Sequence, residues 1–239
     1  MKITHCFDAN TRITKSTKEE TGFLLAHKTG GYVWLPSTPI SRYQGWFFAL
    51  GESAGSRLYR VIENIELQET GEIRELKNNF WSIQRKRANL VETFMLTDYT
   101  NALIYEVSAP SVIQLVLDIK DSYDNTEEGR LYEVETHGTS ALVSFRHQYN
   151  NTPPLFLAIR ANGKLHAINQ WHARYYSLDQ RRGSFPYNRY VFSAVRVKGS
   201  AIVCAVSDNK NTALKEADRA FGSLKEIKLQ KKNEIKKFF

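Results

Sequence analysis

The stretch LAIRANGKLHAI, Leu157 to Ile168, alternates apolar residues on both sides of Asn162-Gly163, the pair preferred in a two-residue type I′ turn. Short β-branched or aromatic runs broken by glycine, asparagine and aspartate recur along the chain, and this pattern constrains the fold more than any other feature. RVIENIELQETGEIRELKNNFWSI reads as a second hairpin around Thr70-Gly71, and LVETFMLTDYTNALIYEVS as a third around Asp98 to Thr100. SVIQLVLDI, GRLYEVETHGTSALVSF and RYVFSAVRVKGSAIVCAV continue the meander, with turns expected at His137-Gly138 and Lys198-Gly199. Roughly a dozen or more strands with no helical period between them predict an all-β fold, a large antiparallel β-sandwich, over residues 1–210.

The pattern changes once. From Thr212 onward, Leu214, Ala217, Phe221, Leu224 and Ile227 recur at intervals of three or four on a background of lysine and glutamate, which predicts a C-terminal amphipathic helix within 211–239. SDNKN before it supplies the capping residues. The last fifteen residues, KEIKLQKKNEIKKFF, hold six lysines and two glutamates and so carry half of the net charge of +8. The remaining body is about as basic as an ordinary domain, which weakens a nucleic-acid reading.

At 239 residues the chain is long enough to bury a sizeable core. MKITHCFDANTR has neither the apolar run nor the cleavage site of a secretory signal, so the mature protein is expected to start at Met1. No apolar run approaches the length of a membrane span. Cys6 and Cys204 are too few for a disulfide scaffold and are expected as free thiols, which fits a reducing, cytoplasmic compartment. No C-x-x-C or H-x-x-H spacing suggests a metal site, no phosphate loop or nucleophile elbow suggests catalysis, and no cofactor is expected. The acidic cluster LDIKDSYDNTEEGRLYEVE reads as an exposed loop, Asp121 to Glu128, followed by a strand with Glu133 and Glu135 on one face.

Aromatic and basic residues interleave in SRYQGWFF, NNFWSIQRKR and WHARYYSLDQRRGSFPYNRY. Such surfaces stack bases against phosphate-binding cations, or present rings to the C–H face of a sugar while polar groups hold its hydroxyls. Most of these aromatics fit strand packing, and Trp34, Trp46 and Trp171 are the exceptions expected at the surface because they lie beside turns.

Two of these segments carry a family resemblance. TGGYVWLPSTPISRYQGWFFAL resembles the N-terminal signature of prokaryotic glycogen-debranching (amylo-α-1,6-glucosidase) enzymes: Gly30, Gly31 and Tyr32 match its Gly-Gly-Tyr turn, and Arg42, Tyr43 and Gly45 its Arg-Tyr-His-Gly element. Gln44 stands where the family shows histidine. WHARYYSLDQRRGSFPYNRYVFSAV is similar to a second motif, with Trp171, Asp179 in place of glutamate, Arg182 and Gly183. The likeness runs from about Gly22 to about Val206. It implies a β-supersandwich that precedes a helical catalytic barrel cleaving α-1,6 branches, with residues 211–239 as the linker toward that barrel. The chain is then a non-catalytic module whose partners are an α-glucan and a helical catalytic domain, in cis or in trans. Trp34, Arg42, Tyr43, Gln44, Trp46, Trp171 and Arg182 are its candidate substrate-side residues. A stand-alone carbohydrate-binding protein is the alternative, and a single-stranded nucleic-acid binder ranks last.

Overall fold

The computed structural model describes residues 1–7, 11–18, 21–37, 40–51, 57–68 and 71–237. In chain order the strands are β1 (Lys2–Cys6), β2 (Arg12–Ser16), β3 (Gly22–Ala26), β4 (Tyr32–Pro36), β5 (Gly45–Leu50), β6 (Arg57–Leu67), β7 (Glu75–Asn78) and β8 (Ile83–Lys86). They continue with β9 (Val91–Leu96), β10 (Ala102–Asp121), β11 (Arg130–His137), β12 (Ser140–His147), β13 (Leu155–Ala161), β14 (Leu165–Tyr175) and β15 (Asn188–Ser207). The helices are α1 (Ser177–Arg181), α2 (Lys210–Gly222) and α3 (Leu224–Ile235).

All fifteen strands belong to one curled, mostly antiparallel sheet, with β1 and β7 paired in parallel. Curling makes it a sandwich. One layer runs β11-β12-β13-β15-β10-β9-β8-β7-β1-β2 and uses the C-terminal part of β15 with the N-terminal part of β10. The other runs β14-β15-β10-β6-β5-β4-β3 and uses the opposite parts of the same two strands. The inner faces share a core in which Val33, Leu35, Phe48 and Leu115 of one layer meet Phe94, Leu103, Phe145 and Leu157 of the other. The Phe23 and Phe94 rings touch across it at 4.8 Å.

A crease runs across the strands where the layers join. β13 and β14 do not pair with each other: both lie along β15, β13 against Ile202–Ser207 and β14 against Asn188–Val197. The hairpin expected at Asn162-Gly163 is therefore corrected to a kink in one edge. Asn162 Oδ1 accepts the N–H groups of Ser200 (2.9 Å) and Ala201 (3.0 Å), and a Cβ on Gly163 would sit 1.9 Å from the Lys198 carbonyl oxygen. Only glycine permits that approach. The turn expected at Lys198-Gly199 is the same crease seen from the facing strand, for β15 runs unbroken through it. In β10 the register shifts between Glu106 and Ser111 on the same line.

The hairpins at Asp98–Thr100 and His137-Gly138 form as expected. The one expected at Thr70-Gly71 does not: Thr70 lies outside the described residues, β6 pairs with β5 and β10, and β7 pairs with β1 and β8. The C-terminal helix begins at Lys210, two residues before Thr212, with the Asn209 side chain accepting the Thr212 N–H at 3.1 Å. It breaks at Ser223 and resumes as α3. Both cysteines are free.

Candidate functional site

Strand β4 alternates. Val33 and Leu35 enter the core, which turns Tyr32 and Trp34 to the other face. The Gly30-Gly31 turn closes β3 onto β4, with the His27 N–H bonded to the Gly31 carbonyl at 2.7 Å. Across the ladder Tyr32 pairs with Phe47, their rings stacked at 4.7 Å, and Trp34 pairs with Gly45. Gly45 has φ 120°, and a Cβ there would lie 2.1 Å from the Ile62 carbonyl oxygen. Strand β6 therefore packs directly against its backbone, which no side chain would permit.

The result is a shallow groove of about 540 Å³ walled by Leu24, Ala26, His27, Gly30, Gly31, Tyr32, Trp34 and Tyr43. It is mainly aromatic and aliphatic. His27 is held in one tautomer, since its Nδ1 accepts the Thr29 N–H at 3.0 Å and its Nε2 meets the Thr100 carbonyl at 2.7 Å. Burial lowers the imidazole from its ordinary value, with Lys231 adding to the effect and the Thr100 carbonyl and Asp98 opposing it.

Behind the groove the 41–44 turn is bolted to the 176–186 segment. Asp179 accepts the Ser41 hydroxyl (2.9 Å) on one oxygen and the Arg42 N–H (2.7 Å) on the other. The Arg42 guanidinium donates to the carbonyls of Ser184 (2.6 Å) and Pro186 (3.0 Å) and to the Tyr43 hydroxyl (2.9 Å), and stacks over the Tyr43 ring at 4.8 Å. Gln44 accepts the N–H groups of Ile40 and Ser41 and donates to Glu63 at 2.7 Å. Thus Ser41 and Arg42 meet Asp179, which lies 137 positions beyond Arg42 in the chain.

An ionic cluster underlies this bolt. Asp118 and Lys120 alternate on β10 with Leu117 and Ile119 of the core. Asp118 binds Arg60 (3.1 Å), Arg130 (2.6 Å) and Arg189 (3.2 Å), and Arg60 in turn donates to the Arg42 carbonyl. Burial pushes the Asp118 carboxyl up, but the three guanidinium charges outweigh it and hold the group below the usual carboxylate range. Burial drives the Lys120 amine down to about 7 against the pull of Asp118, while its ammonium form donates to the Asp124 carbonyl at 2.6 Å. Lys120 is 1% exposed. The cluster has no access for a reactant, so its role is to hold the loops in place.

The seven candidate residues therefore divide. Trp34 and Tyr43 wall the groove, and Arg42 and Gln44 are buried beneath it as supports. Trp46 is 1% exposed in the core, which corrects its placement at the surface: its strand turns it inward between Val33 and Ile62. Trp171 is 40% exposed on β14, with the Arg130 guanidinium over its ring at 4.9 Å, and Arg182 is exposed after α1; neither walls the groove. The sequence reading missed Leu24 and His27, and also Asp118, whose signal was a pair of charges set into the apolar run LVLDIK. Of the expected exposed loop at Asp121–Glu128, Tyr123, Asn125, Thr126 and Glu128 are exposed while Ser122 is buried, and Asp121 ends β10; Glu133 and Glu135 are exposed.

Among the described residues no group of His, Cys, Asp and Glu could hold a metal ion, and no helix is long and apolar enough to cross a membrane. The fold and groove define a class, an all-β sandwich with a solvent-facing aromatic cleft on one layer. No protein-family model matches the chain, and no curated protein matches it.

Proposed function

We propose that this chain is the non-catalytic N-terminal module of a glycogen-debranching-type glycoside hydrolase, acting in the cytoplasm to position an α-glucan for a helical catalytic domain. One observation carries the reading: the two segments that resemble the family's motifs, far apart in sequence, meet through Asp179, Ser41 and Arg42 directly behind an aromatic groove. Trp34 and Tyr43 offer ring faces to the apolar C–H surface of glucose units, the ordinary way an aromatic wall holds a sugar. Arg42, Gln44 and Asp179 keep that wall rigid, and pre-organisation is what makes a shallow site bind.

The experiment is calorimetric titration of the whole chain with maltoheptaose. Millimolar or tighter binding is expected, weakened about tenfold in Trp34→Ala through loss of one stacked face, with the thermal midpoint retained. Absence of saturable binding, or binding untouched by both Trp34→Ala and Tyr43→Ala, would sink the reading.

A further inference from the structure

A second cavity opens between the two layers, at the edge formed by β1, β2 and β8 on one side and β6 on the other. It measures about 1170 Å³, more than twice the aromatic groove. Its charge is lopsided: Lys2, Lys18, Arg74, Arg85, Arg87 and Arg174 line it against two carboxylates, Glu66 and Glu72.

Three of those cations are already occupied. Arg87 binds Glu92 at 2.9 Å, Arg85 binds the same carboxylate, and Arg174 bridges Glu63 and Glu66. Even so, the buried Nε of Arg85 and that of Arg174 have no hydrogen-bond partner. Lys2, Lys18 and Arg74 are exposed, and no carboxylate among the described residues lies within ion-pair distance of them. The backbone gathers this second trio: the Lys2 N–H bonds the Arg74 carbonyl at 2.8 Å, and the Thr17 N–H, one residue from Lys18, bonds the Met1 carbonyl at 2.9 Å. Three cations on one cleft with no carboxylate partner among the described residues leave it positively charged, and an anion there offsets that charge.

The rest of the wall narrows the ligand. Among the described residues it has no aromatic ring, so none of them stacks a nucleobase. It does carry hydroxyl and amide groups, Ser16, Thr17, Ser37 and Asn64, which suit a polyhydroxy compound. We propose that this inter-layer cleft binds a phosphorylated sugar, its phosphate held by Lys2, Lys18 and Arg74 and its hydroxyls by the Ser16, Thr17 and Asn64 wall. The site is independent of the aromatic groove and of the function proposed for it.

The test is titration of the whole chain with glucose 6-phosphate, glucose and inorganic phosphate, repeated on the Lys2→Gln, Lys18→Gln, Arg74→Gln triple variant. These side chains are exposed, so the variant is expected to keep its thermal midpoint. Glucose 6-phosphate should bind saturably, about tenfold or more tightly than inorganic phosphate because the hydroxyl contacts add to the charge. Binding should fall at least about tenfold in the triple variant and in about 0.5 M salt. Amide hydrogen exchange should slow at residues 64–67 and 71–74. Equal affinity for inorganic phosphate, affinity that survives the triple variant, or protection that falls on residues 24–34 instead would each overturn the proposal.

Discussion

The two C-terminal helices follow one another with a single residue between them, yet they are held to different degrees by apolar contact and by charge. Helix α2 buries Ala213, Ala217 and Ala220 against Met95, Ile104, Leu142, Ala158 and Val203 on the outer face of one layer. Helix α3 buries no residue fully: Leu224 and Ile227 lie half-buried against the same apolar cluster. The rest of its hold is charge: Lys228 to Glu106, Lys231 to Asp98, and Glu234 to Lys28, which also reaches Asp98. Small apolar residues let a helix lie close on a sheet, where contact is short-ranged and indifferent to salt. Ion pairs at a surface hold more loosely and weaken as salt rises.

Ala217→Glu should have the largest effect, because it forces a charge into a face that is 1% exposed; a loss of several kcal/mol in chemical denaturation is expected, and full stability would refute the close packing. Phe221→Ala, on the partly buried flank of α2, should cost about 1–2 kcal/mol with no dependence on salt. Asp98→Asn removes the negative charge shared by Lys28 and Lys231 and should cost about 1 kcal/mol or less, a difference that disappears in high salt. If the loss persists in molar salt, Asp98 holds α3 by more than its charge.

The smallest effect concerns pH. His27 lies under the end of α3, facing Lys231 and Asp98, and its imidazole is lowered in the folded state. The folded chain therefore binds its proton less readily than the unfolded one. Its contribution to stability is complete above the ordinary imidazole value of 6.5 and is lost as pH falls through it toward the lower folded value. His27→Gln should flatten that part of a stability profile measured between about pH 7 and pH 5. An unchanged slope would show that the titration belongs elsewhere.

The helix pair also shows what could be read beforehand. The three-to-four spacing of Leu214, Ala217 and Phe221 gave α2, and period alone was enough, since a helix's face is a local property. The ionic fastening of α3 depends on residues more than 100 positions away, such as Asp98 and Glu106, and leaves no local trace. The same division holds in the sheet. Alternation revealed the strands, but Asn162-Gly163 and Lys198-Gly199 were read as two hairpin turns because each is a turn signal by itself. They face each other across one ladder, and only the pairing tells a kink from a turn. In the groove, Trp34 and Tyr43 were visible as unusual aromatics beside glycines, whereas the inward position of Trp46 follows from the register of β5 against β4 and β6.

Because β10 and β15 pass through the crease into both layers, the two walls of the sandwich are continuous material rather than docked parts. Neither wall owns a complete set of strands, so a chain cut at the crease would yield no half able to fold alone, and no recombination of halves could exchange one wall for another. Such a body is expected to melt in a single step, as one cooperative unit.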